Sequence, residues 1–394
     1  MRVPTLHHAQ ATLQALQKRE SEQAKLQSQI ATGLRVQSPS DDPVAAAQAE
    51  LARSRLARLE QDQRAAQLAQ GTLSSAEGAL GQGVDLLHSA REALVAAGNG
   101  GYTADERAKL ALQLRATRDQ LLAIANTPDA AGGYVFGGQG TTTAPFAKTP
   151  VGYAANAGTQ QVGEQGRFAS TVDGRAAFLA LPEGNGVFVT ASDPGNTGWI
   201  GAGSVSDATQ LTGHGYALTV GGAPGALTYT VIDTTAGTAV ATNVAWPADG
   251  TLDIDGQRVQ VGGPPVPGDR FTLAPAQHKD IFTTLDDAIA LLEDRSATGG
   301  AYQERLQRAQ VGVDRGLDAV LHARAVAGEQ LRYVEDAMSA GAQQEFDASA
   351  RLGALQDLDM ARGISSLQAS QTAYEAALKS YVAIRQTSLF DLIS

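Results

Sequence analysis

The sequence predicts a mainly α-helical, elongated protein with an inserted β domain, in which long antiparallel helices pack as a coiled coil or a bundle. Proline and glycine interrupt helices, and ten of the 14 prolines and 27 of the 43 glycines lie between Ala130 and Pro275. The outer zones instead carry apolar residues at a sustained spacing of seven, which is typical of long packed helices. The 394 residues are enough for two or three domains.

The first long helix is predicted over residues 44–97, which contain no proline. Its main apolar line consists of Leu59, Ala66, Leu73, Leu80, Leu87 and Leu94. A second line, three residues further on, consists of Asp62, Ala69, Ala76, Gly83, Ala90 and Ala97. Because most residues of the second line are small, a partner helix can approach closely, and the period of seven implies a left-handed supercoil.

Two further helices are predicted on either side of the middle zone. Thr103 and Glu106 form a capping box, which predicts the start of a helix that ends before Pro128. Late in the chain, a third line with the same spacing consists of Leu306, Val313, Val320, Ala327 and Val334. Two such repeats far apart in sequence are natural antiparallel partners, although on periodicity alone an unrelated soluble helical bundle fits equally well.

The middle zone is predicted to be a β domain. Residues 218–220 and 228–232 alternate between apolar and polar side chains, as half-buried strands do. The turn signals that separate such runs are Gly221-Gly222, Ala236-Gly237, Asp249-Gly250 and Asp255-Gly256.

Composition argues against several classes of function. The net charge is −11 and Lys and Arg form no dense stripe, so we expect no nucleic-acid partner. The sequence has no apolar run of about 18 residues, so we expect no membrane span. The first thirty residues lack the apolar segment of a secretory signal peptide, which taken alone indicates a cytoplasmic protein. The absence of cysteine excludes disulfide scaffolds and thiol chemistry.

Candidate sites for chemistry are few. The motifs HExxH, GxSxG and GxxxxGK[ST] are absent, so we expect no enzyme, no cofactor and no metal site. Ser40, Asp41, Asp42 and Pro43 form the most prominent acidic segment. We interpret it as a helix-cap motif, with Asp42 as N-cap, Pro43 at the first helical position and Asp41 near the positive end of the helix dipole.

The same segment carries a resemblance to a known family. Residues 30–36 (IATGLRV) and 38–43 (SPSDDP) resemble the signature near the start of flagellin-superfamily proteins, and residues 361–378 resemble the terminal helix of that family. Within the superfamily, the hook–filament junction proteins are more similar than flagellin itself over residues 125–129 (ANTPD), 132–138 (GGYVFGG), 145–146 (PF) and 388–391 (SLFD).

The resemblance implies a structural role and a different location. Such proteins leave the cell through the flagellar type III export channel and form a short ring of identical subunits between hook and filament. The implied partners are therefore further copies of the chain, the other hook-associated junction protein, flagellin and an export chaperone.

The resemblance also implies that the N- and C-terminal helices pair and assemble with neighbouring subunits. The expected interface consists of Leu6, Leu13, Leu16, Leu26, Ile30, Ile364, Leu367, Tyr374, Leu378 and Tyr381. Because Glu20, Gln23 and Gln27 interrupt the N-terminal line, we expect this pair to be marginal alone. The predicted domains are residues 1–43 with 350–394 (terminal coiled coil), 44–140 with 276–349 (long-helix bundle) and 141–275 (β-rich outer domain).

Three other functions are considered. A minor flagellin would share the same terminal helices, so it is the nearest alternative. A secreted adhesin on a flagellin-like scaffold would place its function in the β domain. An enzyme on such a scaffold would need a catalytic constellation in the middle zone, and the sequence offers none.

Overall fold

The computed structural model describes residues 3–130, 132–137, 143–149, 152–155, 161–162, 168–169 and 171–390. Within those ranges it describes side chains from residue 10 to residue 382, apart from residues 155, 161–162 and 168–169. The chain divides into two compact units. We call residues 1–64 with 338–394 the terminal unit and residues 65–337 the central unit. The three-domain division expected from the sequence stays a prediction.

Helices dominate the outer zones, as predicted. Those of the described residues are α1 (Val3–Thr32), α2 (Pro43–Ala97), α3 (Ala104–Ala125), α4 (Gly174–Phe178), α5 (Ile281–Glu293), α6 (Gly299–Gln356) and α7 (Met360–Phe390). The longest, α2 and α6, have 55 and 58 residues and contribute to both units. The predicted capping box is confirmed at α3, where Thr103 Oγ1 accepts a hydrogen bond from Glu106 N and Glu106 Oε2 accepts one from Thr103 N at 2.8 Å.

In the central unit the main apolar line of α2 is buried. Its members with no exposed surface are Leu73, Leu80, Leu87 and Leu94. The small residues of the second line are buried with them, and a methyl group placed on Gly83 would meet Leu121 of α3 and Val320 of α6 at 3.5–3.6 Å. The two most N-terminal members of the predicted lines behave differently: Leu59 and Asp62, in the terminal unit, are only half-buried.

Helix α6 runs antiparallel to α2 in the central unit, as predicted. Four polar contacts join the helices in reversed order: Ala97 O with Tyr302 Oη (2.8 Å), Leu94 O with Gln310 Nε2 (3.2 Å), Arg91 with Asp314 (2.9 Å) and Glu77 with Arg324 (2.7 Å). The apolar line of α6 is buried as well, and its members Val313, Val320 and Val334 have no exposed surface.

Helix α5 packs against α3 and carries the charged group that joins helices to strands. Asp286 accepts hydrogen bonds from Arg118 of α3 and, at 2.6 Å, from Lys148 Nζ. Partial burial acts to raise the pKa of the Asp286 carboxyl, but the hydrogen bonds from Lys148 and Arg118 prevail and hold it below its ordinary value.

Most of the strands lie in the predicted β region. The described strands are β1 (Phe146–Thr149), β2 (Gly152–Ala155), β3 (Gln161–Val162), β4 (Phe168–Ala169), β5 (Leu181–Pro182), β6 (Phe188–Ser192), β7 (Trp199–Ile200), β8 (Ser204–Val205), β9 (Tyr216–Ala223), β10 (Ala226–Asp233), β11 (Thr238–Ala245), β12 (Thr251–Ile254), β13 (Gln257–Gly262), β14 (Arg270–Pro275) and β15 (His278–Lys279).

Two antiparallel sheets enclose the β core. One has the order β11-β10-β9-β14-β6, and the other has the order β12-β13-β7 with β8 also paired to β13. The largest core side chains include Tyr216, Phe188 and Phe271, each at most 1% exposed. At the β6 edge, the Glu304 carboxylate of α6 accepts a hydrogen bond from Ser192 N at 3.1 Å, so this edge is covered by the chain itself.

Three of the four predicted turns are confirmed and one is wrong. Gly237 and Gly250 have positive φ (73° and 69°), and each donates a backbone hydrogen bond that closes its turn, to Asp233 O at 2.9 Å and to Pro247 O at 3.0 Å. Asp255 and Gly256 form the two-residue turn between β12 and β13, both with positive φ (42° and 80°). Gly221-Gly222 lies inside β9 instead, and the chain reverses at Pro224-Gly225. Proline presets φ at the first turn position and Gly225 supplies the positive φ of 88° at the second, so this dipeptide is the stronger turn former.

Candidate functional site: the terminal helices and their connectors

Helices α1 and α7 pack against each other through a line with alternating spacings of three and four residues. On α7 this line consists of Gly363, Leu367, Ser370, Tyr374, Ala377 and Tyr381. On α1 its described members with reduced exposure are Thr12, Leu16, Gln23, Leu26 and Ile30. Gly363 is buried, and the other ten are only half-buried. We call these two lines the terminal seam.

The structure places the sequence-predicted interface residues in two groups. Six lie in the terminal seam: Leu16, Leu26, Ile30, Leu367, Tyr374 and Tyr381. Leu13, Ile364 and Leu378 lie one residue outside it and are 45%, 45% and 39% exposed. The side chain of Leu6 lies outside the described residues. The pair therefore has a half-buried seam and, beside it, an exposed apolar line.

The turn after α1 is fastened to the turn between α6 and α7. Gly33 has a φ of 72°, and its carbonyl accepts a hydrogen bond from Leu358 N at 2.8 Å. Arg35 N donates to Gln356 O at 2.6 Å, and the Arg35 guanidinium donates to Leu355 O at 2.8 Å. These contacts join the residues that follow α1 to the residues that precede α7, next to the place where the two terminal helices meet.

The acidic segment before α2 stabilises the same region. Asp42 Oδ1 accepts a hydrogen bond from Ala45 N at 3.0 Å, the contact made by a helix N-cap, and α2 begins at Pro43. Ser40 is exposed, with its hydroxyl 2.7 Å from that of Ser38.

Asp41 makes a contact that sequence reasoning missed. Its carboxylate lies 2.6 Å from Lys25 Nζ of α1 and accepts hydrogen bonds from Ser38 N and Gln37 N. The Lys25 ammonium, followed by these two N–H groups, holds the pKa of the Asp41 carboxyl far below its ordinary value. Asp41 thus ties α1 to the turn that precedes α2.

A charged groove of about 300 Å³ lies in the central unit between the β5–β6 connection, α5 and α6. It contains four cations, and each already has a partner. Arg305 pairs with Asp294 (3.3 Å), Arg308 with Glu304 (2.5 Å), Arg315 with Asn185 O (2.9 Å) and Lys279 with Asp287. Arg315 and Lys279 thus attach the β5–β6 connection and β15 to α6 and α5, whereas Arg305 joins α6 to the end of α5 and Arg308 pairs within α6. Among the described residues, no cluster of three His, Cys, Asp or Glu side chains could hold a metal ion, and no helix is long and apolar enough to cross a membrane.

Comparison with known proteins extends the resemblance to the whole chain. Residues 3–141 match the bacterial flagellin N-terminal helical region. The flagellar hook-associated protein 3 of Escherichia coli K12 is 28% identical over 396 residues, covering 100% of this chain and 99% of the relative. The corresponding protein of Salmonella typhimurium LT2 is 27% identical with the same coverage. These full-length similarities support a structural junction protein of the flagellum, located between hook and filament.

Solved structures of this family share the fold. The flagellar hook-associated protein 3 of Legionella pneumophila is similar with a TM-score of 0.72 at 26% identity, covering 78% of this chain and 98% of that one. The FlgL protein of Xanthomonas campestris is similar with a TM-score of 0.66 at 28% identity, covering 72% of this chain and 94% of that one.

Proposed function

We propose that this junction protein connects hook to filament as a ring of identical subunits that assemble through α1 and α7. The observation that carries the proposal is the incomplete burial of the terminal helices. The seam between them is half-buried, and Leu13, Ile364 and Leu378 beside it stay 39–45% exposed. Such a surface is stable against neighbouring subunits rather than in water.

The energy available from assembly is considerable. Full burial of a large apolar side chain contributes about 1.5–3 kcal/mol. The half-buried and exposed apolar residues of the terminal helices gain only part of this free energy in the single chain. Helices that gain burial from neighbours become ordered as they associate, so assembly and ordering of the terminal pair would be one event.

The partners follow from the position in the flagellum. We infer that the ring contacts the other hook-associated junction protein on one side and flagellin on the other, and that an export chaperone holds the chain before secretion through the flagellar type III channel. We further infer that the chain has no catalytic activity, because each of the four cations in the charged groove is already held by a carboxylate or a backbone carbonyl of the same chain.

Labelling of isolated flagella tests the proposal. An antibody against the chain should mark a single band at the hook end, and a strain lacking the protein should have hooks without filaments. Flagella of that strain are the matched control for the antibody. Labelling along the whole filament would instead indicate a minor flagellin, and normal motility of the deletion strain would favour an adhesin.

A further inference from the structure

Phe346 is the outstanding exposed aromatic residue of the terminal unit. It lies on α6 and is 68% exposed. The other phenylalanines with described side chains are at most 2% exposed: Phe136, Phe146, Phe178, Phe188, Phe271 and Phe282. Leaving a large apolar ring in water is unfavourable, and single aromatic anchors of this kind often dominate the energy of an interface.

The same unit contains a groove that suits an aromatic side chain. It has a volume of about 460 Å³ and lies between α2 and α6. Its apolar part is formed by Leu51, which is 72% exposed, together with Ala52 and Ala348. Its polar rim consists of Gln48, Arg55, Gln344, Asp347 and Arg351. We call it the α2–α6 groove.

Phe346 cannot fill the groove of its own chain. At 100° per residue, the groove residues of α6 (344, 347, 348 and 351) are centred about 150° around the helix from Phe346. The ring and the groove therefore lie on nearly opposite sides of one helix, and a Phe346 ring that enters the groove must come from another copy of the chain.

Charge favours a second copy as that molecule. Arg55 and Arg351 on the groove rim are exposed, and in the part of the chain that the structure describes neither forms an ion pair. Glu345 directly precedes Phe346, so an entering Phe346 brings a carboxylate toward these guanidinium groups. An arginine is also a favourable neighbour for an aromatic ring.

We propose that Phe346 of one subunit inserts into the α2–α6 groove of the next. This inference rests on the proposed ring and names a contact within it. Two different surfaces of one chain then meet head to tail, which is the kind of interface that closes into a ring when the rotation between subunits permits.

Engineered disulfides test the contact directly because the chain contains no cysteine. Phe346→Cys and Leu51→Cys are introduced together, and flagella isolated from the complemented deletion strain are oxidised with copper phenanthroline. Because disulfides require Cα atoms within about 7 Å, the pair should form at least about tenfold more covalent dimer than the control pair. In the control, Val44→Cys replaces Leu51→Cys, since Val44 is similarly exposed on α2 but lies about 10 Å along the helix from Leu51.

The outcomes separate this inference from the proposed function. A chain that marks the hook end but forms no more dimer than the control overturns the contact and leaves the junction role intact. A covalent product with a different polypeptide overturns the second copy as occupant. If the double variant is not incorporated into flagella, the motility of strains carrying Phe346→Ser and Phe346→Leu tests the contact instead. Loss of motility with Ser and retention with Leu support the contact, and equal motility of the two strains overturns it.

Discussion

In the central unit Leu73, Leu80, Leu87 and Leu94 are fully buried, whereas in the terminal unit Leu13, Ile364 and Leu378 keep 39–45% of their surface exposed. Both units use apolar residues with helical spacing, so the pattern alone does not account for the difference. In the central unit α2 packs against α6, and Gly83 approaches both α3 and α6. Helices α1 and α7 have mainly each other, so one side of each stays in water.

The difference indicates that the two units have distinct tasks. A buried repeat with several neighbouring helices makes the central unit stable as a single chain. A repeat with one neighbour and polar interruptions leaves the terminal helices marginal until other subunits cover them. Changes in the two units should therefore affect different measurements.

The largest effect on the stability of the free chain is expected for Leu87→Ala. Removing a fully buried leucine should lower the free energy of unfolding by about 2–5 kcal/mol, because it deletes apolar contacts and leaves a cavity. Urea denaturation of the purified chain measures this. The control is Leu68→Ala on the same helix, which is exposed and should change stability by at most about 0.5 kcal/mol. Equal effects of the two substitutions would contradict the burial of the central line.

A smaller, pH-dependent effect is expected for Asp286→Asn. The pKa of the Asp286 carboxyl is lowered in the folded chain and returns to about 3.9 on unfolding. A lowered pKa stabilises the fold above the unfolded value and loses that contribution as pH falls. The variant should thus lose roughly 1 kcal/mol at pH 7, and the difference should shrink steadily as pH falls below about 3.9. Asp85→Asn, an exposed control on α2, should change the free energy of unfolding by at most about 0.5 kcal/mol. A loss for Asp286→Asn that does not shrink as the pH falls would exclude this origin.

The smallest effect on the free chain is expected for Leu378→Asp. Leu378 is exposed and lies outside the terminal seam, so the free energy of unfolding should stay within about 0.5 kcal/mol of the parent value. In the flagellum a carboxylate buried at this position would cost several kcal/mol, so filaments should not attach. Ser380→Asp, which adds the same charge two residues away, is the control and should retain filaments. Secretion of the variant is measured in parallel. Normal filaments in a strain that carries Leu378→Asp would show that Leu378 does not lie in the assembly interface.

Local pattern in the sequence predicted the regular elements well. The spacing of seven identified the long helices and their antiparallel packing, and the pair Thr103 and Glu106 marked the start of α3. These features depend on residues close in sequence or on long repeats. The turn between β9 and β10 was predicted at Gly221-Gly222 but lies at Pro224-Gly225, where proline fixes the geometry of the first turn position.

Contacts between segments that are far apart in the sequence could not be predicted from it. Asp41 with Lys25, and Arg35 with Gln356, join residues that no periodic pattern relates. The placement of Ile364 and Leu378 beside the seam was missed for a different reason. A broad apolar stripe does not reveal its centre, and the seam runs instead through the small residues Gly363 and Ala377.

We expect α1 and α7 to become ordered and buried on assembly. Amide hydrogen exchange in the free chain and in isolated flagella tests this expectation most directly. Amides of α1 and α7 should exchange rapidly in the free chain and become strongly protected in flagella, because only the assembled state buries both sides of the pair. Amides of α2 between residues 65 and 97 should be protected in both states and serve as the internal reference. Equal, strong protection of α1 and α7 in the free monomer would contradict this role of the terminal helices.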